Sequence, residues 1–358
     1  MSPRTLPLLL IGIALLFPGC ATYVRHGLDA ERAPQIERSC LSRDFMPSPE
    51  IEQKILALDP EHVAEADIRG VLAQAPAPRI ISIHGGIYPV QEQMFGFCRF
   101  LAGMGYPAGS ITNPGDGTYT FSCYESSEKI AGCIAWYYER EGLRPMIVGH
   151  SQGGMQAVMV LRQLAGLSSP RLHVWNPLAW EQEERCDILD PLTGERRPVV
   201  GLQLPYVSSL GAGGLTRILP TQWDMIGRLH DVPDSVEEFT GFYKHLDPLG
   251  GDYLGYGSVN HFESMGKAVV RNVRLPTSYH HRSIPNTEHL LRSQQIIDSI
   301  NNYHPNSQPF DVPVLDMKLD EDSSNILWAR DVWYSVKKHW VLELQRLLRL
   351  RHTHVHGR

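Results

Sequence analysis

The sequence predicts an α/β protein with a doubly wound, mostly parallel sheet flanked by helices. Short apolar segments rich in β-branched residues alternate with longer helical patterns, and this alternation is typical of βαβ units. Clusters of glycine and proline separate the segments. The 358 residues are 42% hydrophobic and 20% charged, a composition that excludes disordered and collagen-like proteins.

The charge balance argues against a nucleic-acid partner. Lys and Arg together number 33 and Asp and Glu 39, which gives a formal net charge of −6. Proteins that bind nucleic acid carry a basic footprint, because the phosphate backbone is anionic. None is visible in the composition, so we expect no nucleic-acid binding.

The amino terminus is typical of a secretory signal. Arg4 precedes an apolar run, Leu8 to Phe17, and Gly19-Cys20 follows shortly after it. The run is too short for a bilayer, which needs roughly 20 apolar residues. Gly19-Cys20 resembles the lipobox of bacterial lipoproteins. The resemblance implies that residues 1–19 are removed and that lipid on Cys20 anchors an exported protein to a membrane of the cell envelope, the outer membrane in a Gram-negative cell. An ordinary cleaved signal peptide is the alternative.

Five further cysteines, at positions 40, 98, 123, 133 and 186, would then lie in a compartment where disulfides persist. Their odd number leaves at least one unpaired, and the sequence assigns no pairs. None has the Cys-x-x-Cys spacing of a metal site, so we expect structural cysteines.

Residues 20–78 are interpreted as a loop-rich lead-in with helical patterns at 49–58 and 62–72. The run Arg79-Ile-Ile-Ser-Ile-His-Gly-Gly86 predicts the first buried strand, because proline precedes its β-branched residues and glycines follow them. The later predicted elements are a helix at 91–104, an extended segment at 109–112, a helix at 126–141, a strand at 146–148, a helix at 153–165 and strands at 172–175, from 236 and at 269–275.

Ser151 lies between glycines where the chain passes from the strand at 146–148 to a helix. Ligands of parallel sheets bind beyond the carboxyl ends of the strands, so a nucleophile is expected at this place. Gly149-His-Ser-Gln-Gly153 resembles the Gly-x-Ser-x-Gly elbow of the α/β-hydrolase superfamily, in the strand-to-helix context that the motif needs. His84-Gly-Gly86, after an earlier strand, is similar to the loop that helps to form the oxyanion hole in that family.

The resemblance covers roughly residues 79–300 and implies a nucleophilic Ser151. It also implies an oxyanion hole built from the N–H of Gln152 and that of Gly86 or Ile87. His150, beside the nucleophile, is interpreted as a packing residue of the elbow rather than a base. No dissociable cofactor and no metal are implied.

The family places a catalytic acid and then a histidine downstream of the serine. For the base we choose His289, which precedes a helical run in the way that the family's histidine loop leads into a final helix. His280 and His281 lie nearer to the end of the strand at 269–275 and remain rivals.

For the acid we choose Asp247, at the start of the turn that follows the strand from 236. Asp252, at the other end of that turn, is the alternative. Either residue could simply be a turn aspartate that bonds its own backbone. Asp187 and Asp190 follow an earlier strand and also remain candidates.

Residues 202–232 depart from the alternation of strands and helices, and we interpret them as a cap or lid insertion. The apolar side chains that could line its pocket are Trp180, Leu219, Trp223 and Met225. The alternative is that these residues belong to the core.

The segment 323–358 predicts an amphipathic helix followed by a histidine-rich tail. Its apolar stripe comprises Ile326, Trp333, Val336, Trp340, Leu344 and Leu347. Packing against the domain is expected, and binding to a membrane surface is the alternative. The histidines of the tail are assigned no metal.

Together these features predict an α/β-hydrolase domain over residues 79–322 that cleaves a carboxylic ester or related acyl bond through an acyl-enzyme. A small-molecule or lipid ester would be the substrate. Thioesterase, amidase or acyltransferase chemistry at the same site is the alternative. A catalytically inactive hydrolase fold used for binding in the cell envelope is the alternative from another class, because a fold does not imply a function.

Overall fold

The computed structural model describes residues 45–86, 90–113, 116–214, 220–305 and 323–356. The predicted signal segment 1–19 and the predicted lipidation site Cys20 lie outside these ranges. In chain order the strands are β1 (Ile80–His84), β2 (Phe121–Ser122), β3 (Met146–His150), β4 (Trp175–Asn176), β5 (Glu181–Gln182), β6 (Asp187–Leu189), β7 (Arg196–Pro198), β8 (Leu204–Leu210), β9 (Asp231–Val232), β10 (Val236–Lys244), β11 (Glu263–Ser264) and β12 (Val269–Leu275).

Six of these strands form one central sheet in the order β12-β10-β8-β3-β1-β2, and all neighbouring pairs are parallel. The other strands form two-stranded pairs outside it. The α-helices are α1 (Pro49–Ala57), α2 (Glu65–Gly70), α3 (Val90–Gly103), α4 (Ser127–Glu141), α5 (Gln152–Leu164), α6 (Gln294–Asn301) and α7 (Ile326–His356). The predicted class, a parallel sheet flanked by helices, is therefore confirmed.

The predicted bounds of helices and strands are most accurate for the long elements. The strand at 269–275 and the helices at 91–104, 126–141 and 153–165 are found within a residue or so of their predicted bounds. The extended segment predicted at 109–112 is wrong, because Ala108–Ser110 forms a 3-10 turn. The strand predicted at 172–175 is also displaced, since β4 pairs only with β5 in a small antiparallel hairpin.

The prediction of a cap over 202–232 is wrong for the first part of this segment. Its first part is β8, a central strand whose seven residues are all buried and which lies between β3 and β10. Pro205 near the start of β8 explains the error, because proline in a run argues against a central strand. The strand begins at Leu204, one residue before Pro205. The Leu204 N–H donates to the carbonyl of Ser235, which directly precedes β10.

Successive residues of β1 and β3 contribute to two apolar layers on opposite faces of the sheet. Ile80 and Met146 face a layer that contains α1, α2, α3 and α7, whereas Ile81 and Ile147 face a layer that contains α4 and α5. A strand that is buried on both faces has no side chains exposed to solvent, so its sequence is nearly continuously apolar.

The helix α7 packs its apolar stripe into the interior of the protein. Trp328, Trp333 and Trp340 are completely buried. The side chain of Gln345 donates to the carbonyls of Ile55 at 3.0 Å and Leu58 at 2.9 Å, so α7 also fixes the segment before the sheet. The stripe is therefore core rather than a membrane-binding face. No helix within the described ranges is both long and apolar enough to cross a membrane.

A buried ion-pair cluster ties α7 to the chain just before β3. Glu343 is fully buried and accepts from Arg144 at 2.6 Å and from Arg346 at 2.7 Å. Burial alone would raise the pKa of Glu343, but the two guanidinium groups outweigh burial and leave this pKa below its usual value. The carboxylate therefore stays ionised in the folded protein, and its partners compensate for its loss of hydration.

We expect Glu343→Gln to lower the free energy of unfolding by about 3 kcal/mol at neutral pH, because it removes the buried counter-charge that Arg144 and Arg346 share and leaves Arg144 only the partly exposed Glu237. Since the folded-state pKa is depressed, the contribution of Glu343 is present above its unfolded pKa and is lost as the pH falls through the folded one. The difference between wild type and variant should therefore shrink in acid. Urea unfolding at neutral and acidic pH measures both effects.

Glu50→Gln is the matched control, because Glu50 pairs with Lys54 on the exposed face of α1. Exposed pairs contribute about 0–1 kcal/mol, so this variant should unfold almost like the wild type. Equal losses in the two variants would contradict a structural role for the buried cluster.

Candidate active site

Three polar side chains meet at the carboxyl edge of the central sheet. Ser151 follows β3, Asp247 follows β10 and His281 follows β12. The Ser151 Oγ lies 2.9 Å from His281 Nε2, and His281 Nδ1 lies 2.7 Å from Asp247 Oδ2. Because the strands are parallel, their carboxyl ends lie at one edge, which brings together residues that are far apart in the sequence.

The hydrogen-bond distances fit one tautomer of His281. In that tautomer His281 Nδ1–H donates to the Asp247 carboxylate, and His281 Nε2 accepts from the Ser151 hydroxyl. His281 and Asp247 are both buried, and Ser151 is half-buried. The arrangement orients a base toward a hydroxyl and can activate that hydroxyl as a nucleophile.

Ser151 stands at a strained backbone position. Its φ of 55° and ψ of −121° place it in a region that residues with a Cβ rarely adopt, at a cost of about 1–3 kcal/mol. The Ser151 N–H donates to the Leu210 carbonyl of β8 at 2.7 Å, which helps to hold this turn. The sharp turn presents the hydroxyl above the edge of the sheet.

The glycines of the elbow are required by close backbone contacts. A Cβ on Gly149 would lie 2.4 Å from the carbonyl oxygen of Gly153, and a Cβ on Gly153 would lie 2.1 Å from the carbonyl oxygen of Ile83. The start of α5 thus lies directly against β1 and β3. No larger residue fits without displacing a strand.

The structure does not bring His289 to Ser151, so its choice as the base is corrected in favour of His281. His289 lies in a 3-10 turn, and its Nε2 is 3.1 Å from the carbonyl and 3.0 Å from the hydroxyl of Ser324. The loop after β12 reaches the serine already at His281, and the chain then turns away. The rival His280 is exposed and has no contact with the serine hydroxyl.

Asp247 occupies the position chosen for the acid, and Asp252 supports the same loop. The Asp252 carboxylate accepts the N–H groups of Leu246 at 3.2 Å, Gly255 at 2.6 Å and Tyr256 at 2.9 Å. The remaining candidates lie elsewhere: Asp187 pairs with Arg196, and Asp190 accepts from Tyr138.

Two of the residues expected to form an oxyanion hole lie side by side next to Ser151. A Cβ on Gly86 would lie 2.1 Å from Gln152 Oε1, and a Cβ on Gly85 would lie 2.9 Å from Ser151 Cβ. Gln152 is the first residue of α5, where N–H groups have no partner within the helix. Ile87, the other expected donor, lies outside the described residues.

A tyrosine that the sequence did not single out supports the same loop. The Tyr124 hydroxyl donates to the Gly86 carbonyl at 2.9 Å, although Tyr124 is 38 positions further along the chain. No local pattern connects these residues. Their contact follows from the pairing of β2 with β1.

His150 has a second role besides packing. Its Nε2 lies 2.7 Å from the main-chain carbonyl of His281 and must donate to it, and the two rings lie 5.1 Å apart. Burial lowers the pKa of His150 well below its ordinary value, so the ring is neutral. This hydrogen bond fixes the backbone of the residue that faces the serine.

The side chains proposed to line a pocket do not form one group. Met225 is buried in the core, Trp223 is exposed and Trp180 packs beside Trp175 and Phe121. Leu219 lies outside the described residues. Among the described side chains, no group of three or more His, Cys, Asp or Glu is placed to hold a metal ion.

No protein-family model matches the sequence, and a search of curated proteins found no similar chain. The site must therefore be interpreted from its own geometry.

We expect Gly153→Ala to lower the free energy of unfolding by about 3 kcal/mol, because its methyl group would meet a backbone carbonyl that cannot move alone. Chemical unfolding monitored by tryptophan fluorescence measures this loss. Gly70→Ala is the matched control, since nothing lies within 4 Å of a Cβ there. It should stabilise the protein by about 0.5 kcal/mol, because alanine lowers the conformational entropy of the unfolded chain. Similar behaviour of the two variants would contradict the close packing of the elbow.

Proposed function

We propose that the protein is a serine hydrolase of the α/β-hydrolase type that cleaves a carboxylic ester or related acyl bond. The observation that carries this proposal is the continuous hydrogen-bond chain from Ser151 through His281 to Asp247. The strained elbow and the adjacent Gly85-Gly86 loop support it, as does the order serine, acid, histidine along the chain.

In the proposed reaction the Ser151 oxygen attacks the acyl carbonyl while its proton passes to His281 Nε2. Asp247 stabilises the imidazolium that forms. His281 then gives the proton to the departing alcohol oxygen, and an acyl-serine remains. Water then attacks the acyl-serine while one of its protons passes to His281 Nε2. His281 gives this proton to the Ser151 oxygen as the acyl bond breaks, which releases the carboxylic acid and restores Ser151.

The tetrahedral intermediate carries negative charge on the former carbonyl oxygen. The N–H of Gln152 and a donor from the Gly86 loop lie beside Ser151 and would stabilise this charge, with about 3 kcal/mol from each donor. The strained turn at Ser151 contributes by holding the nucleophile close to these donors.

The proposed reaction fixes neither the leaving group nor the acyl acceptor. A thioester or amide substrate, or acyl transfer to an acceptor of the cell envelope, would therefore use the same residues. Export and a lipid anchor at Cys20 also belong to the proposal, on the evidence of Leu8 to Phe17 and Gly19-Cys20 in the sequence. The inactive-fold alternative does not explain why serine, histidine and aspartate are aligned within hydrogen-bond distance.

Covalent labelling by a fluorophosphonate tests the nucleophile before any substrate is known. We expect labelling at Ser151, none in Ser151→Ala and a loss of about a thousandfold in rate in His281→Ala, because the base is then absent. Peptide mapping of the labelled full-length protein identifies the residue.

His289→Ala is the matched control for the base, and Asp252→Asn is the control for the acid Asp247→Asn. The first should label like the wild type, and Asp252→Asn should lose less than Asp247→Asn. If the folded protein is not labelled, or if the His289 variant loses as much as the His281 variant, the proposed site is wrong.

We expect His150→Phe to slow labelling of Ser151 by about tenfold, because it removes one buried hydrogen bond while keeping a ring of similar shape. His150→Gln retains a donor and should recover part of the rate. Circular dichroism melting of both variants separates a misplaced His281 from a loss of folding. Equal labelling of His150→Phe and wild type would contradict a positioning role.

A further inference from the structure

The loop that carries the proposed catalytic acid exposes large apolar side chains. Leu246 is 60% exposed, Tyr253 58%, Leu254 77% and Tyr256 65%. They lie within eleven consecutive positions, on both sides of Asp247 and Asp252. We name residues 246–256 the acid loop. Exposed apolar side chains gathered in one place mark a binding surface more often than scattered ones do.

The exposed face of the acid loop carries no charge. Its only ionisable carboxylates, those of Asp247 and Asp252, are both buried, and the former bonds His281 while the latter bonds loop N–H groups. The fifth exposed residue is Pro248. A surface of leucine, tyrosine and proline without cations fits a neutral partner better than an anionic one, and the chain has a net charge of −6.

The acid loop is held in a defined shape beside the nucleophile. A Cβ on Gly214 would lie 2.3 Å from Gly251 Cα, so the loop packs against the segment that follows β8. The end of β8 also receives the Ser151 N–H at Leu210. The acid loop is therefore held at the same edge of the sheet as Ser151 by the bonds of Asp247 and Asp252 and by its contact with Gly214.

We propose that the acid loop binds the surface of an uncharged or zwitterionic lipid layer, so that the ester cleaved at Ser151 is presented from a lipid–water interface. The inference rests on the proposed function and specifies its substrate class. Tyrosine favours such interfaces, because its ring enters the apolar layer while its hydroxyl stays in water.

The apolar run and Gly19-Cys20 of the amino terminus, which are predicted to anchor the chain at a membrane, make lipid the occupant that the sequence favours over a protein. A membrane-anchored enzyme meets lipid esters in the layer to which it is attached. The acid loop would then bring the opening of the site to that layer.

The test uses the full chain with Cys20→Ser, so that no lipid anchor hides the effect of the loop. Vesicles of dioleoylphosphatidylcholine that contain a long-chain p-nitrophenyl ester report interfacial hydrolysis, and p-nitrophenyl acetate reports hydrolysis of a monomeric ester. We expect Tyr253→Ser/Leu254→Ser to lower the vesicle rate by about tenfold or more, because two large side chains no longer enter the lipid, and to leave the acetate rate unchanged.

Leu189→Ser is the matched control, because Leu189 is 50% exposed but lies beside Glu139, near the end of α4 that precedes β3 at the opposite edge of the sheet. It should change neither rate. Equal losses with both esters in the double variant, or no loss with vesicles, would overturn the proposal.

Vesicle sedimentation in the Ser151→Ala background separates this proposal from the proposed reaction. The amino terminus is the same in every variant, so a difference in bound fraction reports the acid loop alone. Weaker binding of the double variant supports the lipid surface even if no ester is cleaved, whereas equal binding overturns it. A change in oligomeric state by light scattering would overturn it as well and assign the loop to a second copy of the chain.

Discussion

The close approach of α5 to the strands β1 and β3 is the constraint on which the site depends. The carbonyl of Ile83 occupies the space that a side chain at Gly153 would need, and the carbonyl of Gly153 does the same for Gly149. Two glycines thus allow a helix to begin directly on the sheet. Ser151, at the centre of the three residues between them, takes a positive φ, and this strained turn places its hydroxyl above the edge of the sheet.

The parallel sheet brings the partners of this serine from distant parts of the sequence. Each strand ends at the same edge, so the chain can supply an acid from one loop and a base from another. The supporting contacts are similarly distributed: His150 fixes the backbone of His281, and Asp252 folds the loop that presents Asp247. The geometry therefore depends on several loops whose backbones are bonded to each other.

The sequence predicts those parts of the molecule that local patterns determine. Buried strands and the elbow have short-range signals, and the turn after β10 identified Asp247. The choice between His281 and His289 depends on where the loop after β12 bends, which is decided by contacts such as that between His289 and Ser324. The strand β8 was missed because Pro205 is a local argument against a strand, although its neighbours in the sheet bury it. The contact of Tyr124 with Gly86 has no local signal at all.

The place of α7 in the core also has a consequence for the order of folding. One face of the central sheet is covered by Trp328, Trp333 and Trp340, which belong to residues synthesised long after the strands they cover. A chain that emerges amino terminus first therefore exposes that face from the time β12 is available for pairing until α7 follows it. The nascent chain therefore holds an unfinished apolar surface for that time, and it completes its fold only when the final helix is free to dock.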